Sequence, residues 1–276
     1  MTLRDLVRLA LEEDIGQEDI TTNRTVPSNA CCEVRLIAKQ DGVLSGIEVF
    51  RMVFDCIEAQ ITQWGALSQG DRFSTGDEIA TFAGNTRAVL TAERTAMNFI
   101  QHLSGIATLT SKFVAAVEGL EVRICDTRKT TPLLRRLEKE AVLHGGGTNH
   151  RHSLFHGVVV KDNHIAAAGG ITEAVRKAWS GTHHLMKIEV EATSLDQFDE
   201  ALDAGADVIM LDNMSFDDMR EAARRARGHK VMIEASGNVR LDTVRAFAET
   251  GVHLVSVGAL THSAPAADMS LLISNV

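Results

Sequence analysis

The chain has 276 residues, of which 45% are hydrophobic and 24% charged, with only 3 Pro. At roughly 100 to 200 residues per domain, this is enough for two domains or one large barrel, and the composition excludes a disordered or fibrous chain. Lys plus Arg number 28 against 37 Asp plus Glu, a net charge of −9, which argues against nucleic acid as a partner and leaves a small ligand open.

No apolar run approaches the roughly 18 residues of a membrane span, and the charged stretch from Met1 to Asp14 makes a signal peptide unexpected. The cysteines (Cys31, Cys32, Cys56 and Cys125) show neither CxxC nor Cys/His spacing, so the expected setting is a reducing cytoplasm.

In chain order, apolar Leu3, Leu6, Val7, Ala10 and Leu11 predict a helix capped by Thr2, followed by a polar loop from Gly16 to Asn29. Alternation through Val34, Leu36 and Ala38 predicts a strand, and Ile47 to Ile57 a helix. Short strands are expected near 61–67 and 78–82, then helix from Thr86 to about Glu118 with a break at Ser104-Gly105. That break is taken as the domain boundary. Residues 1–104 form an N-terminal domain, expected to be completed by 265–276, and 105–264 form the second domain.

The second domain alternates β and α. Strand-like runs at 122–125, 157–160, 185–190, 208–211, 230–233 and 254–257 have later gaps filled by amphipathic helices at 195–204, 216–227 and 241–250, so the sheet must be parallel. The runs end in Asp126-Thr127-Arg128-Lys129, Lys161-Asp162-Asn163-His164, Glu191, Asp212-Asn213, Glu234-Ala235-Ser236-Gly237 and Gly258. Six polar ends in succession favour a barrel, in which every strand points its C-terminal end to one mouth, over an open sheet.

Between 121 and 161 there are eight Lys or Arg and four Asp or Glu, a local excess of cations in an acidic chain. Arg128, Lys129, Arg151 and Lys161 stand at or near strand ends and are assigned to an anionic ligand. Arg135, Arg136 and Lys139, at helical spacing beyond Pro132, read instead as a solvated face. Glu189 and Glu191 share one side of a strand, and Asp212 ends the next. Such carboxylates can pair with Lys161, accept hydrogen bonds from sugar hydroxyls or hold Mg²⁺ carried by a phosphate ester. Ser236-Gly237 and Gly258-Ala259 suit a phosphomonoester. His150 is assigned as a donor to an anion. The HxH spacing of His150 and His152 is discounted as a metal site, because an arginine sits between the histidines and no carboxylate-rich second half-site stands nearby.

DTRKTTP (126–132), GGGTNHR (145–151), KDNH (161–164), EVE (189–191), GADVIMLDN (205–213), EASGNV (234–239) and ETGVHLVSVGALTHS (249–263) together resemble the quinolinate phosphoribosyltransferase family, as does LTAERTAMNFIQHLSGIAT (90–108). The resemblance implies an N-terminal α/β sandwich and an incomplete, TIM-like α/β barrel, in a homodimer or higher oligomer with active sites at the interface. It implies conversion of quinolinate and phosphoribosyl pyrophosphate to nicotinate mononucleotide, pyrophosphate and CO₂ with Mg²⁺, a step of NAD biosynthesis. By matching motifs, Thr127, Arg128, Lys129, His150, Arg151 and Lys161 would hold carboxylates and pyrophosphate, and Arg94 would reach the partner subunit's site. Glu191 and Asp212 would take the ribose and metal, and Ser236, Gly237, Gly258 and Ala259 the 5-phosphate. Lys161, Arg128, Glu191 and Asp212 are the expected catalytic residues.

Leu133, Glu140, Ser153 and His156 depart from residues the family often has. His156 is the feature favouring a paralogue that uses another aromatic acid. A metal-dependent barrel hydrolase and a non-catalytic sugar-phosphate binder are the other readings.

Overall fold

The computed structural model describes residues 2–275. The chain divides into two compact units: one comprises the chain up to Ser111, Pro132–Gly146 and the chain from Ala264, and the other Lys112–Thr131 and Gly147–Ser263. Among the described residues no helix is long and apolar enough to cross a membrane.

The first unit opens with α1 (Leu3–Ile15), whose first turn is closed by reciprocal bonds between Thr2 and Asp5, a capping box that satisfies otherwise orphaned N–H groups. The expected loop after it contains a short helix, α2 (Ile20–Thr25), which starts where Asp19 accepts from the Thr22 N–H. Strands β1 (Cys31–Ala38), β2 (Gly42–Val43), β3 (Thr62–Ala66), β4 (Arg72–Phe73) and β5 (Glu78–Asn85), helices α3 (Ile47–Cys56), α4 (Thr86–Ala116) and α5 (Arg135–His144), and the late strand β12 (Met269–Asn275) complete its elements. The main sheet has the order β12-β1-β5-β3 and is antiparallel throughout. Its core includes Phe50 and Phe54 of α3 against Phe82 of β5, with Phe54 and Phe82 ring centroids 5.1 Å apart.

No helix break exists at Ser104-Gly105, and α4 runs through both residues. The glycine is there for close packing: a Cβ on Gly105 would lie 2.1 Å from the carbonyl oxygen of Pro265. Ser104 donates to the Ser45 carbonyl and accepts from its N–H, tying the helix to the segment after β2. The compact units accordingly part beyond Ser104, with 105–111 falling in the first. Lys139 is also placed differently from the sequence reading. It is fully buried in α5 beside buried Glu138, while Arg136 stays outside and pairs with Glu140 at 3.0 Å. Leu133, just before α5, has φ +69°, a left-handed conformation that costs a leucine more than it would a glycine.

The second unit carries β6 (Arg123–Cys125), β7 (Val158–Val160), β8 (Ile188–Ala192), β9 (Val208–Asp212), β10 (Met232–Ser236) and β11 (Leu254–Ser256), with helices α6 (Asp162–Ala168), α7 (Ile171–Gly181), α8 (Leu195–Asp203), α9 (Phe216–Arg225), α10 (Val244–Ala248) and α11 (Ala259–His262). The strands form one parallel sheet in the order β6-β11-β10-β9-β8-β7. That order is chain order closed by the β11–β6 pairing and left open between β6 and β7, which makes the barrel incomplete. At the open edge Thr148 bridges to Cys125, donating its N–H to Ile124 and accepting from the Asp126 N–H. The central strands are largely buried along their length, as parallel strands covered on both faces are, with Glu189 and Glu234 the buried charged residues among them.

Replacing Gly105 with Ala should lower stability by about 3 kcal/mol, since neither α4 nor the Pro265 carbonyl can yield without repacking. Urea unfolding of the two proteins gives this difference directly.

Candidate active site

All six strand ends of the parallel sheet contribute to one cavity of about 500 Å³. Thr127, Arg128 and Lys129 follow β6, and His150 and Arg151 precede β7. Lys161 ends β7, Glu191 lies on β8, Asp212 and Asn213 end β9, and Glu234, Ser236, Gly237 and Asn238 belong to β10 and its loop, with Ser256 on β11. The sequence assignment of Thr127, Arg128, Lys129, His150, Arg151, Lys161, Glu191, Asp212, Ser236 and Gly237 to a common mouth therefore describes a real convergence.

Three assigned residues do not line this cavity. Gly258 lies behind Lys129, where a Cβ would come within 3.0 Å of the Lys129 Cδ, and Ala259 begins the short α11. Arg94 is an exposed residue of α4 in the first unit. Leu133, Glu140, Ser153 and His156 are likewise absent from the lining. Ser153 and His156 hydrogen bond to each other at 3.1 Å on the surface, outside the lining of this cavity.

Local folding fixes the cations. Asp126, fully buried, accepts from the His150 N–H at 2.8 Å and from the Asn149 amide at 2.6 Å, locking the incoming segment to the end of β6. The Arg151 guanidinium donates to the Gly157 carbonyl at 2.8 Å, and the Thr127 hydroxyl accepts from the Lys129 N–H. Burial, and then the neighbouring Arg128 charge, pull the Arg151 guanidinium below its usual value, although guanidinium remains a cation at neutral pH. Lys161 pairs with Glu191. At the loop glycine, Gly237, φ is +104° and a Cβ would lie 2.2 Å from Asn213 Oδ1, so its bareness also makes room for Asn213.

His150 is also placed differently from the sequence expectation of a donor held ready for an anion. Its Nδ1 accepts from the Arg151 N–H at 2.8 Å, leaving Nε2 as the donor, and Nε2 lies 2.9 Å from Glu189 and 3.8 Å from Glu234. Contrary to the expectation that no carboxylate-rich half-site stands nearby, carboxylates do stand beside His150, brought from β8 and β10, and among the described residues these three side chains are the group that could hold a metal ion. His152 is not among them; it is exposed, with its ring 5.7 Å from that of His156. Sequence reading marked Glu189 by its spacing from Glu191, but gave no role to Asp126 or Glu234.

Glu234 is almost fully buried, and its carboxyl is pushed up to about 7, first by burial and then by the Glu189 charge, against weaker pulls from His150, Ser256 and Lys161. The folded protein thus keeps a proton that the unfolded chain releases near its ordinary value of 4.5. The contribution of Glu234 to stability is complete below that value and is lost as pH rises toward about 7, by about 3 kcal/mol at most. Unfolding free energies measured at pH 5 and pH 8 should show this decline in the wild type, and Glu234→Gln should reduce it.

An incomplete parallel barrel with cations and carboxylates gathered at the C-terminal ends of its strands defines an enzyme class that binds anionic small molecules at the barrel mouth. The chain belongs to the quinolinate phosphoribosyl transferase family, whose N-terminal domain matches residues 19–104 and whose C-terminal domain matches residues 106–272. A probable nicotinate-nucleotide pyrophosphorylase [carboxylating] of Bacillus subtilis (strain 168) is 41% identical, with 98% of this chain and 93% of that protein covered. The nicotinate-nucleotide pyrophosphorylase [carboxylating] of Mycobacterium leprae (strain TN) is 39% identical over 97% of this chain and 96% of its own. The crystal structure of NadC from Streptococcus pyogenes superimposes with a TM-score of 0.94 at 41% identity, covering 99% of this chain and 97% of that one.

Proposed function

We propose that the protein catalyses the transfer of phosphoribose from phosphoribosyl pyrophosphate to the ring nitrogen of quinolinate, giving nicotinate mononucleotide, pyrophosphate and CO₂ for NAD biosynthesis. The observation that carries this reading is the convergence of Arg128, Lys129, Arg151 and Lys161 on one cavity that also presents Glu191 and Asp212. The substrates bring two carboxylates, a monophosphate and a diphosphate. Like charges about 4 Å apart repel by roughly 4 kcal/mol at an effective dielectric of 20, so only a cation-rich mouth accommodates them together.

In this reading Arg128, Lys129 and Arg151 hold the quinolinate carboxylates and the leaving pyrophosphate, and Ser236 and Gly237 seat the 5-phosphate. As the C1–O bond breaks, its electron pair leaves with pyrophosphate, and the ribose ring becomes oxocarbenium-like. Glu191 and Asp212 stabilise that positive charge and accept from the ribose hydroxyls. Their oxygens are the hard donors that Mg²⁺ prefers, which fits a metal arriving with phosphoribosyl pyrophosphate. Mg²⁺ would supply charge neutralisation at the diphosphate. The quinolinate nitrogen lone pair then forms the bond to C1. The resulting pyridinium accepts the electrons released when the adjacent carboxylate departs as CO₂, and the carbon left behind takes up a proton. Lys161 and Arg128 orient that carboxylate.

The mouth is completed by Arg94 from a partner subunit in a homodimer, the arrangement assigned to this exposed arginine of α4. Lys161→Ala should reduce release of ¹³CO₂ from labelled quinolinate roughly 100-fold or more while leaving the melting temperature near that of the wild type. A near-normal kcat would remove Lys161 from the reaction. Arg94→Ala and Arg128→Ala should each be inactive alone, and mixing them with demonstrated subunit exchange should restore roughly a quarter of the wild-type rate through hybrid dimers. Exchange without rescue excludes a shared site.

A further inference from the structure

Asp212 and Ser236 stand abreast at the ends of β9 and β10, and the chain just beyond each turns left-handed. Asn213 has φ +54°, and after Ser236 come Gly237 at φ +104° and Asn238 at φ +49°. Asparagine enters this region more readily than most side chains, yet such backbone persists only where the surroundings over-determine it. Here one side chain does so. The Asn213 N–H donates to the Ser236 carbonyl at 3.0 Å, its Nδ2 donates to Asp212 Oδ2 at 3.0 Å, and its Oδ1 accepts from Asn238 Nδ2 at 3.3 Å. A carboxylate can only accept, so the amide must turn its nitrogen to Asp212 and its oxygen to the loop after β10. That oxygen occupies the space a Cβ on Gly237 would need.

We infer that Asn213 is a positioning residue for phosphoribosyl pyrophosphate, setting the spacing between Asp212, which takes the ribose hydroxyls, and the Ser236-Gly237 loop, which seats the 5-phosphate. This rests on the reading of function given above. In the substrate, the hydroxyls and the 5-phosphate are joined through a single sugar ring, so their separation varies little. Strand ends that drifted apart would give up one contact or the other. The pairing of β9 with β10 extends as far as Asp212 and Ser236, and beyond it Asn213 ties the two ends together. Arg128, Lys129 and Arg151, which hold quinolinate, come instead from the segments after β6 and before β7. Loosening the tie should therefore weaken one substrate and spare the other.

Steady-state kinetics with each substrate varied in turn, at saturating Mg²⁺, read this assignment. Asn213→Gly keeps a backbone at ease with φ +54° and removes only the side chain. It should raise KM for phosphoribosyl pyrophosphate roughly tenfold, leave KM for quinolinate within about twofold, and melt near the wild type. Asn238→Gly removes one bond of the chain and should raise the same KM roughly threefold. A merely structural asparagine would lower the melting temperature without separating the two constants. Gly237→Ala should also raise KM for phosphoribosyl pyrophosphate, because its Cβ would lie 2.2 Å from Asn213 Oδ1 and 2.6 Å from Asn213 Cγ. Added to Asn213→Gly, which lacks both atoms, it should raise that KM much less than it does in the wild type.

Equal changes in both KM values, no change in either asparagine variant, or additive effects of Gly237→Ala and Asn213→Gly would each overturn the inference. If Asn213→Gly fails to fold, Asn238→Gly still decides. A wild-type protein that does not turn over quinolinate with phosphoribosyl pyrophosphate would sink the functional reading and this assignment together, whereas an active Asn213→Gly with unaltered KM values sinks the assignment alone.

Discussion

Repulsion between like charges is the constraint around which the second unit is organised. Arg128 and Arg151 lie close enough for one to depress the other's affinity for its proton, and burial adds to the effect. Such an arrangement is unfavourable in an empty cavity and becomes favourable when an anion enters. It is held in place by backbone and carboxylate partners. Asp126 grips the segment that carries His150, Arg151 is tied to the Gly157 carbonyl, and Glu191 balances Lys161. A parallel barrel suits this purpose because each strand delivers its end to the same place, and each following helix fixes where that strand stops.

The strand pattern was legible in the sequence because parallel strands buried on both faces are short apolar runs, and their polar ends mark the mouth. Arg128, Lys129, Arg151, Lys161, Glu191 and Asp212 could be read from those ends without knowing the fold in detail. What could not be read depends on approaches between distant segments. Gly105 looked like a helix break and is a contact with Pro265. Lys139 looked solvated by its spacing and is buried in α5. That Gly237 also makes room for Asn213 is another such approach. Sequence patterns report which face a residue occupies on its own element, and they are blind to the neighbour it meets there.

Glu189, Glu234 and His150 show the same limit at the centre of the protein. Each belongs to a motif that was recognised, yet their mutual approach comes from the closing of β8 and β10 around the segment that precedes β7. A histidine that looked available for an anion lies 2.9 Å from Glu189, and a glutamate in the middle of β10 is almost fully buried. Low dielectric, which makes the cations effective, also makes a second free anion among them costly.

The pairing of β12 with β1 bears on how the polypeptide is made. Residues near the start of the chain form one edge of their sheet with residues 269–275, while β6 to β11 pair only among themselves. On a ribosome, which releases the chain from its N-terminus, the barrel strands are all available before the last strand of the earlier unit emerges. Until then β1 offers an unpaired edge, with alternate residues already apolar, to any extended segment nearby. The unit synthesised first is thus the one finished last, and the interval before β12 arrives is when the nascent protein is most exposed to misassembly.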